Sequence, residues 1–235
     1  MQNYCKTIGA LAAASALVVS TASAGLENEI HTGYSSMYLF RGLDLGDDLV
    51  EAGVDVATEW NGLGLSAGAW YGSFDSSSIV GDADELDIYG EVSKDLGFVT
   101  AAVGYIYYHN ARLLGDDAQE MYFSVAKSFY GLDLSLTHFW DIETDNDGYT
   151  ELAVAKGFEL SPCLTLNTGV VLAYLTEESE FAHLTAKVSL DWAFTETATL
   201  SPFIAHSWGL NSEVGNTHSN AAEEFVAGTL LSVSF

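Results

Sequence analysis

The chain has 235 residues, 49% of them apolar, with 33 acidic side chains against 7 basic ones and a formal net charge of −26. Such a charge argues against nucleic acid or an anionic lipid surface as a partner. The length is that of one domain, with no Pro- or Ser-rich linker, and past the first two dozen residues no apolar run approaches the roughly 20 residues of a membrane helix.

Met1–Lys6 is a short basic start, Thr7–Val19 an apolar run and Ala22-Ser23-Ala24 a small-residue cleavage site. Residues 1–24 therefore read as a secretory signal peptide, and 25–235 as the mature protein. Cys5 leaves with the signal, so Cys163 stands alone, and neither an intrachain disulfide nor an N-terminal lipoprotein anchor is expected.

Period-2 alternation between turn signals then picks out twelve strands: 29–40, 49–60, 63–74, 85–95, 98–109, 119–129, 132–142, 149–160, 163–175, 182–194, 198–208 and 223–235. After the even strands the connections are short, as at Asn61-Gly62, Leu96-Gly97, Tyr130-Gly131, Ser161-Pro162 and Thr195-Glu196-Thr197. After most odd strands they are long and polar, as at Asp75–Asp84, Asn110–Ala118, Glu143–Gly148 and Asn211–Ala222. The last strand alternates through Phe225, Ala227, Thr229, Leu231 and Val233 to a terminal Phe235. Short turns on one side, long loops on the other, an even strand count and a C-terminal aromatic predict an all-β fold: a transmembrane antiparallel up-and-down β-barrel in the outer membrane of a Gram-negative bacterium. Alternation alone also fits a soluble β-sandwich; the signal peptide, the terminal Phe and the loop lengths decide against it.

Strand 182–194 shows the two faces. Leu184, Ala186, Val188, Leu190, Trp192 and Phe194 share one, and His183, Thr185, Lys187, Ser189 and Asp191 the other. Lys94, Lys127 and Lys156 fall on the apolar phase near periplasmic turns, where a lysine stem can snorkel to the headgroups. Aromatics gather at strand ends as two girdles: Trp60, Phe129, Phe158, Trp192 and Phe235 on the periplasmic side, and Tyr38, Phe40, Tyr107, Trp140, Tyr174 and Trp208 on the outer side.

The segment Tyr34-Ser-Ser-Met-Tyr38-Leu-Phe40-Arg41-Gly42, with Gly68-Ala-Trp70-Tyr-Gly72 and Val103-Gly104-Tyr105-Ile-Tyr107-Tyr108 after it, resembles the TorF (Gcw_chp) family of bacterial outer-membrane proteins. The resemblance covers roughly the first half of the mature chain. It implies a barrel with a pore or transport role and supplies no catalytic residues.

The inward phase is rich in carboxylates, including Glu120, and the lumen-lining residues expected are Arg41, Glu51, Asp55, Glu59, Asp87, Glu91, Glu151, Lys187 and Asp191. An acidic wall with few cations suits a narrow porin-like channel for small cationic or neutral solutes. Arg41, beside a strand of acids including Glu51 and Asp55, is expected to form an ion pair that fixes the lumen wall, with a constriction-site selectivity residue as the sharper alternative. Large inward side chains (Trp70, Phe74, Tyr89, Tyr122, Phe139) make a filled, nonconducting scaffold or adhesive barrel the alternative. A barrel lipid hydrolase ranks below both, because the six histidines lie scattered and His206-Ser207 would point to opposite faces. Glu143-Thr-Asp145-Asn-Asp147-Gly148 has calcium-loop spacing but Val154 where the bidentate Glu belongs. No cofactor or metal is therefore expected. The partners expected are outer-membrane lipid, the barrel-assembly machinery and small solutes.

Overall fold

The computed structural model describes residues 26–76, 81–111, 116–143, 148–210 and 223–235. The expected signal peptide, the core of the calcium-like loop at 144–147 and the His218-Ser219-Asn220 segment lie outside them. Twelve strands are present: β1 (Glu27–Phe40), β2 (Leu43–Trp60), β3 (Leu63–Ser76), β4 (Asp82–Asp95), β5 (Thr100–Asn110), β6 (Ala118–Phe129), β7 (Leu132–Asp141), β8 (Tyr149–Ser161), β9 (Leu164–Leu175), β10 (Glu180–Ala193), β11 (Ala198–Gly209) and β12 (Glu224–Ser234). Each pairs antiparallel with its sequence neighbours, and β1 pairs with β12, so the sheet closes into a barrel. Closure satisfies the backbone without leaving a free edge, which a bilayer requires.

Register follows from the turns. Asn61-Gly62 and Tyr130-Gly131 both have φ near +50° then +72°, the left-handed pair that gives a two-residue hairpin its twist. The closing seam runs from Glu29↔Ser234 to Ser35↔Gly228, and Phe235 exchanges backbone hydrogen bonds with Asn28 at 2.9 and 3.2 Å.

The two faces separate as the alternation demands. Ile88, Val92, Val103, Phe123, Val125, Leu136, Leu152, Val188 and Ile204 stand exposed, with no protein against them, as residues meeting lipid do. Between them lie buried Glu91, Tyr122, Thr137, Glu151 and Ser189, on the inward face. Glycines opposite inward rings let the rings lie flat on the wall. A Cβ at Gly104 would sit 2.0 Å from the Tyr122 ring, and one at Gly68 would sit 2.4 Å from that of Tyr89.

Two expectations are corrected. Residues 41–48 are not a loop: β2 begins at Leu43, and Arg41-Gly42 alone makes the turn. Tyr38 and Phe40 are not in the outer girdle: Phe40 packs inside, edge-on to Tyr108 at 6.1 Å. Tyr38 is buried inside as well, edge-on to Phe74 at 4.9 Å and against Trp70 at 5.5 Å, and its hydroxyl donates to Glu85 at 3.3 Å.

Candidate functional site

The extra length of the first hairpin goes into the barrel. The pairing of β1 with β12 ends at Ser35↔Gly228, so the last residues of β1 leave the wall and keep β2 as their only ladder partner. Register shifts interrupt the ladders at Met37/Leu39 and at Asp47/Val50. Asp48 takes φ +54° there, and the Tyr34 hydroxyl donates to its carboxylate. Bulges of this kind bend a strand, and two at one height aim the tip inward.

At the tip, Arg41 has φ +50° and Gly42 φ +79°. The turn type matches Asn61-Gly62, but arginine carries a cost of roughly 1–2 kcal/mol in the left-handed region that asparagine largely escapes. Gly42 is required twice over, because a Cβ there would also sit 2.6 Å from the His183 ring on β10. Held in this way, Arg41 crosses the interior to the opposite wall. Its two terminal nitrogens donate to both oxygens of Glu120 on β6, each at 2.7 Å. The guanidinium carbon lies 4.7 Å from the Phe139 ring centroid on β7, 4.4 Å from that of Tyr149 on β8 and 5.0 Å from its own neighbour Phe40. The Arg41 and Glu120 side chains are only 13% and 10% exposed. A bidentate, ring-sandwiched guanidinium suits arginine and not lysine.

Hydrogen bonds extend this contact around the wall. Tyr108 donates to Glu120 at 2.9 Å and Tyr149 to Glu151 at 2.8 Å. His183 meets Tyr149 through Nε2 at 2.7 Å and Thr185 through Nδ1 at 2.8 Å, and Thr185 meets Ser207 at 2.8 Å. One donor order satisfies the whole chain: Ser207 to Thr185, Thr185 to His183, His183 to Tyr149, and Tyr149 to Glu151. Ser207 thus reaches threonine and not a histidine, while His206 packs on the other face against Trp208 at 4.3 Å.

The remaining expected site residues occupy the following positions. Glu51 is buried and accepts from Trp70 Nε1 at 2.6 Å. Asp55 accepts from Tyr89 at 2.6 Å, and Glu91 from Tyr122 at 3.0 Å. Asp191 accepts from Asn167 at 2.7 Å. Lys187 is buried with its Nζ 4.2 Å from the Phe203 ring centroid. Asp87 is half-buried two residues from Glu85, and Glu59 is exposed beside the Asn61-Gly62 turn, away from the rest. The partner expected for Arg41 is corrected: it is Glu120, 79 residues away in sequence, and not Glu51 or Asp55. Glu85, Tyr149 and His183 belong to the interior network and were not singled out. The X-Gly turn signature at Arg41-Gly42, between alternating runs, was the available signal for the inward hairpin.

Comparison with known proteins places this architecture. A family described as "Bacterial protein of unknown function (Gcw_chp)" matches residues 20–223. The chain belongs to the Gcw_chp family. No curated protein matches it by sequence. An outer membrane channel from Pseudomonas putida F1 is 11% identical with a TM-score of 0.57, over 89% of this chain and 95% of that one. The NanC porin is 12% identical with a TM-score of 0.54, over 88% and 98%. Outer membrane phospholipase A from Escherichia coli is 13% identical with a TM-score of 0.52, over 93% and 94%. At these identities the likeness is one of fold. This member of the family has the fold of a Gram-negative outer-membrane β-barrel, of the kind that porins share.

Proposed function

We propose that the protein is a narrow outer-membrane channel for passive diffusion of small cationic or neutral solutes, with the β1–β2 hairpin as its constriction. One observation carries this reading: among the described residues, six carboxylates (Glu51, Glu85, Glu91, Glu120, Glu151 and Asp191) but only one lysine, Lys187, are buried. The charge of Arg41 is matched by Glu120. Carboxylates left in excess beside low-dielectric walls make the interior potential negative, which favours a cation and repels an anion. Arg41, Glu51, Asp55, Asp87, Glu91, Glu151, Lys187 and Asp191 line the path in this reading, with Glu59 at the periplasmic mouth. A signal peptide of residues 1–24 precedes the barrel at 25–235, and the barrel-assembly machinery inserts it. The protein is no enzyme in this reading, and Ser207 reaches His183 only through Thr185.

Single-channel recording of the refolded protein in planar bilayers tests this directly. A reversal potential of cationic sign in a potassium chloride gradient is expected, and an anionic sign refutes it. A second reading has its own support: Tyr122 and Phe139 are almost wholly buried, at 1% and 2% exposure, beside a hairpin tip that spans the interior. A barrel filled in this way acts as a scaffold or adhesin through its outer loops, and demonstrably folded protein without conductance would favour that reading.

A further inference from the structure

The inward face near the periplasmic end of β1 carries Glu29 and His31, which the channel reading does not use, beside Asp55, which it does. Glu29 stands directly across the ladder from Asp55, and His31, two residues on, faces Gly53. Residues two apart on a strand share a face, so both carboxylates and the imidazole project into one patch of the interior. One donor atom from each of Glu29, His31 and Asp55 lies within 4.8 Å of the other two, and His31 Nδ1 is 3.4 Å from Asp55 Oδ2.

We infer that Glu29, His31 and Asp55 bind a divalent transition-metal ion, reached from the periplasmic side. The wall is shaped for the ring: a Cβ at position 53 would lie 2.4 Å from both Cε1 and Nε2 of His31, so only glycine leaves the imidazole its place. Both carboxylates are already oriented from behind. Ser234 donates to Glu29 at 3.1 Å and Tyr89 to Asp55 at 2.6 Å, the outer-shell support that metal ligands ordinarily have. The Asp55 side chain is 39% exposed, so an ion arrives without passing the hairpin. Two carboxylates balance a 2+ charge. One imidazole nitrogen with two carboxylate oxygens suits zinc, cobalt, nickel, manganese or ferrous iron better than calcium or magnesium, which prefer oxygen alone. Metal–ligand lengths of about 2.0–2.2 Å bring tetrahedral donors to about 3.4 Å apart, which small side-chain rotations achieve here.

The site stands whether or not the barrel conducts, and its test uses binding alone. Protein purified in detergent is titrated with cobalt(II), followed by visible absorption, and with zinc(II) by calorimetry, both under a large excess of calcium and magnesium. Close to one equivalent should bind. His31→Ala should lower the affinity by at least about 100-fold, the upper range for losing even an outer-shell partner. Gly53→Ala, which displaces the His31 ring while keeping all three ligand residues in the sequence, should weaken it in the same direction. Heat-modifiable gel migration checks folding. If His31→Ala fails to fold, Glu29→Gln takes its place with an expected loss of about 10-fold or more. Absence of stoichiometric binding in the wild type overturns the inference. So does unchanged affinity in a folded His31→Ala protein or, where that variant does not fold, in Glu29→Gln.

Discussion

Replacing Arg41 with alanine should detach the hairpin tip from the far wall while the barrel itself stays folded. The tip owes its position to one bidentate ion pair, two bonds of 2.7 Å, and to ring contacts with Phe139 and Tyr149 at 4.7 and 4.4 Å. Removing the guanidinium leaves Glu120, whose side chain is 10% exposed, with Tyr108 as its remaining hydrogen-bond donor among the described residues, in a poorly solvated place. Breaking one side of such a pair costs about 3–5 kcal/mol, or roughly a 100- to 4,000-fold shift in the ratio of docked to released tip. The twelve inter-strand ladders do not pass through Arg41, so the cost falls on docking and not on closure. Single-channel recording should therefore show a larger conductance for Arg41→Ala, and a stronger cation preference because a positive charge has gone. Glu120→Gln should also raise conductance, since the charge-assisted pair is lost, but should weaken cation preference. Opposite shifts in selectivity with the same shift in conductance separate release of the tip from simple electrostatics. Wild-type conductance in a folded Arg41→Ala protein would refute the hairpin as the constriction.

Other outcomes are expected along the same lines. Converting Glu51, Asp55, Asp87 and Glu91 together to amides should reduce the cation reversal potential most in dilute salt, where the Debye length is about 30 Å at 0.01 M against about 3 Å at 1 M. Equal selectivity at both salt levels would count against a wall-charge origin. Deleting Phe235 removes two backbone hydrogen bonds at the seam, of 2.9 and 3.2 Å, and should lower the folded yield in the outer membrane, read by heat-modifiable migration. Val188→Arg puts a charge on the lipid face at a cost of about 2–4 kcal/mol if the residue lies at mid-membrane, whereas Ser189→Ala loses only a buried hydroxyl without a hydrogen-bond partner among the described residues and should be close to neutral. Denaturant titration in lipid ranks the two, and a Val188→Arg protein no less stable than Ser189→Ala would count against a lipid-facing Val188.

The strands, their order of appearance and the side taken by most residues were legible in the chain itself, because alternation and turn chemistry are local. Val188 and Ser189 must face opposite ways in any strand, and Asn61-Gly62 makes a tight turn wherever it stands. The acidic character of the inward phase was legible for the same reason. What a side chain meets across the interior is not a local property. It depends on how the sheet closes and on how far each strand is staggered against the next. Arg41 therefore revealed its turn, but not Glu120 on the opposite wall, and Tyr38 read as a girdle residue until bulges in both strands bent its hairpin inward. Glu29, His31 and Asp55 lie up to 26 positions apart in the numbering and become one group only through the β1–β2 register. The hairpin's path and this cluster were decided by tertiary structure alone, since each depends on contacts between strands whose spacing no stretch of sequence encodes.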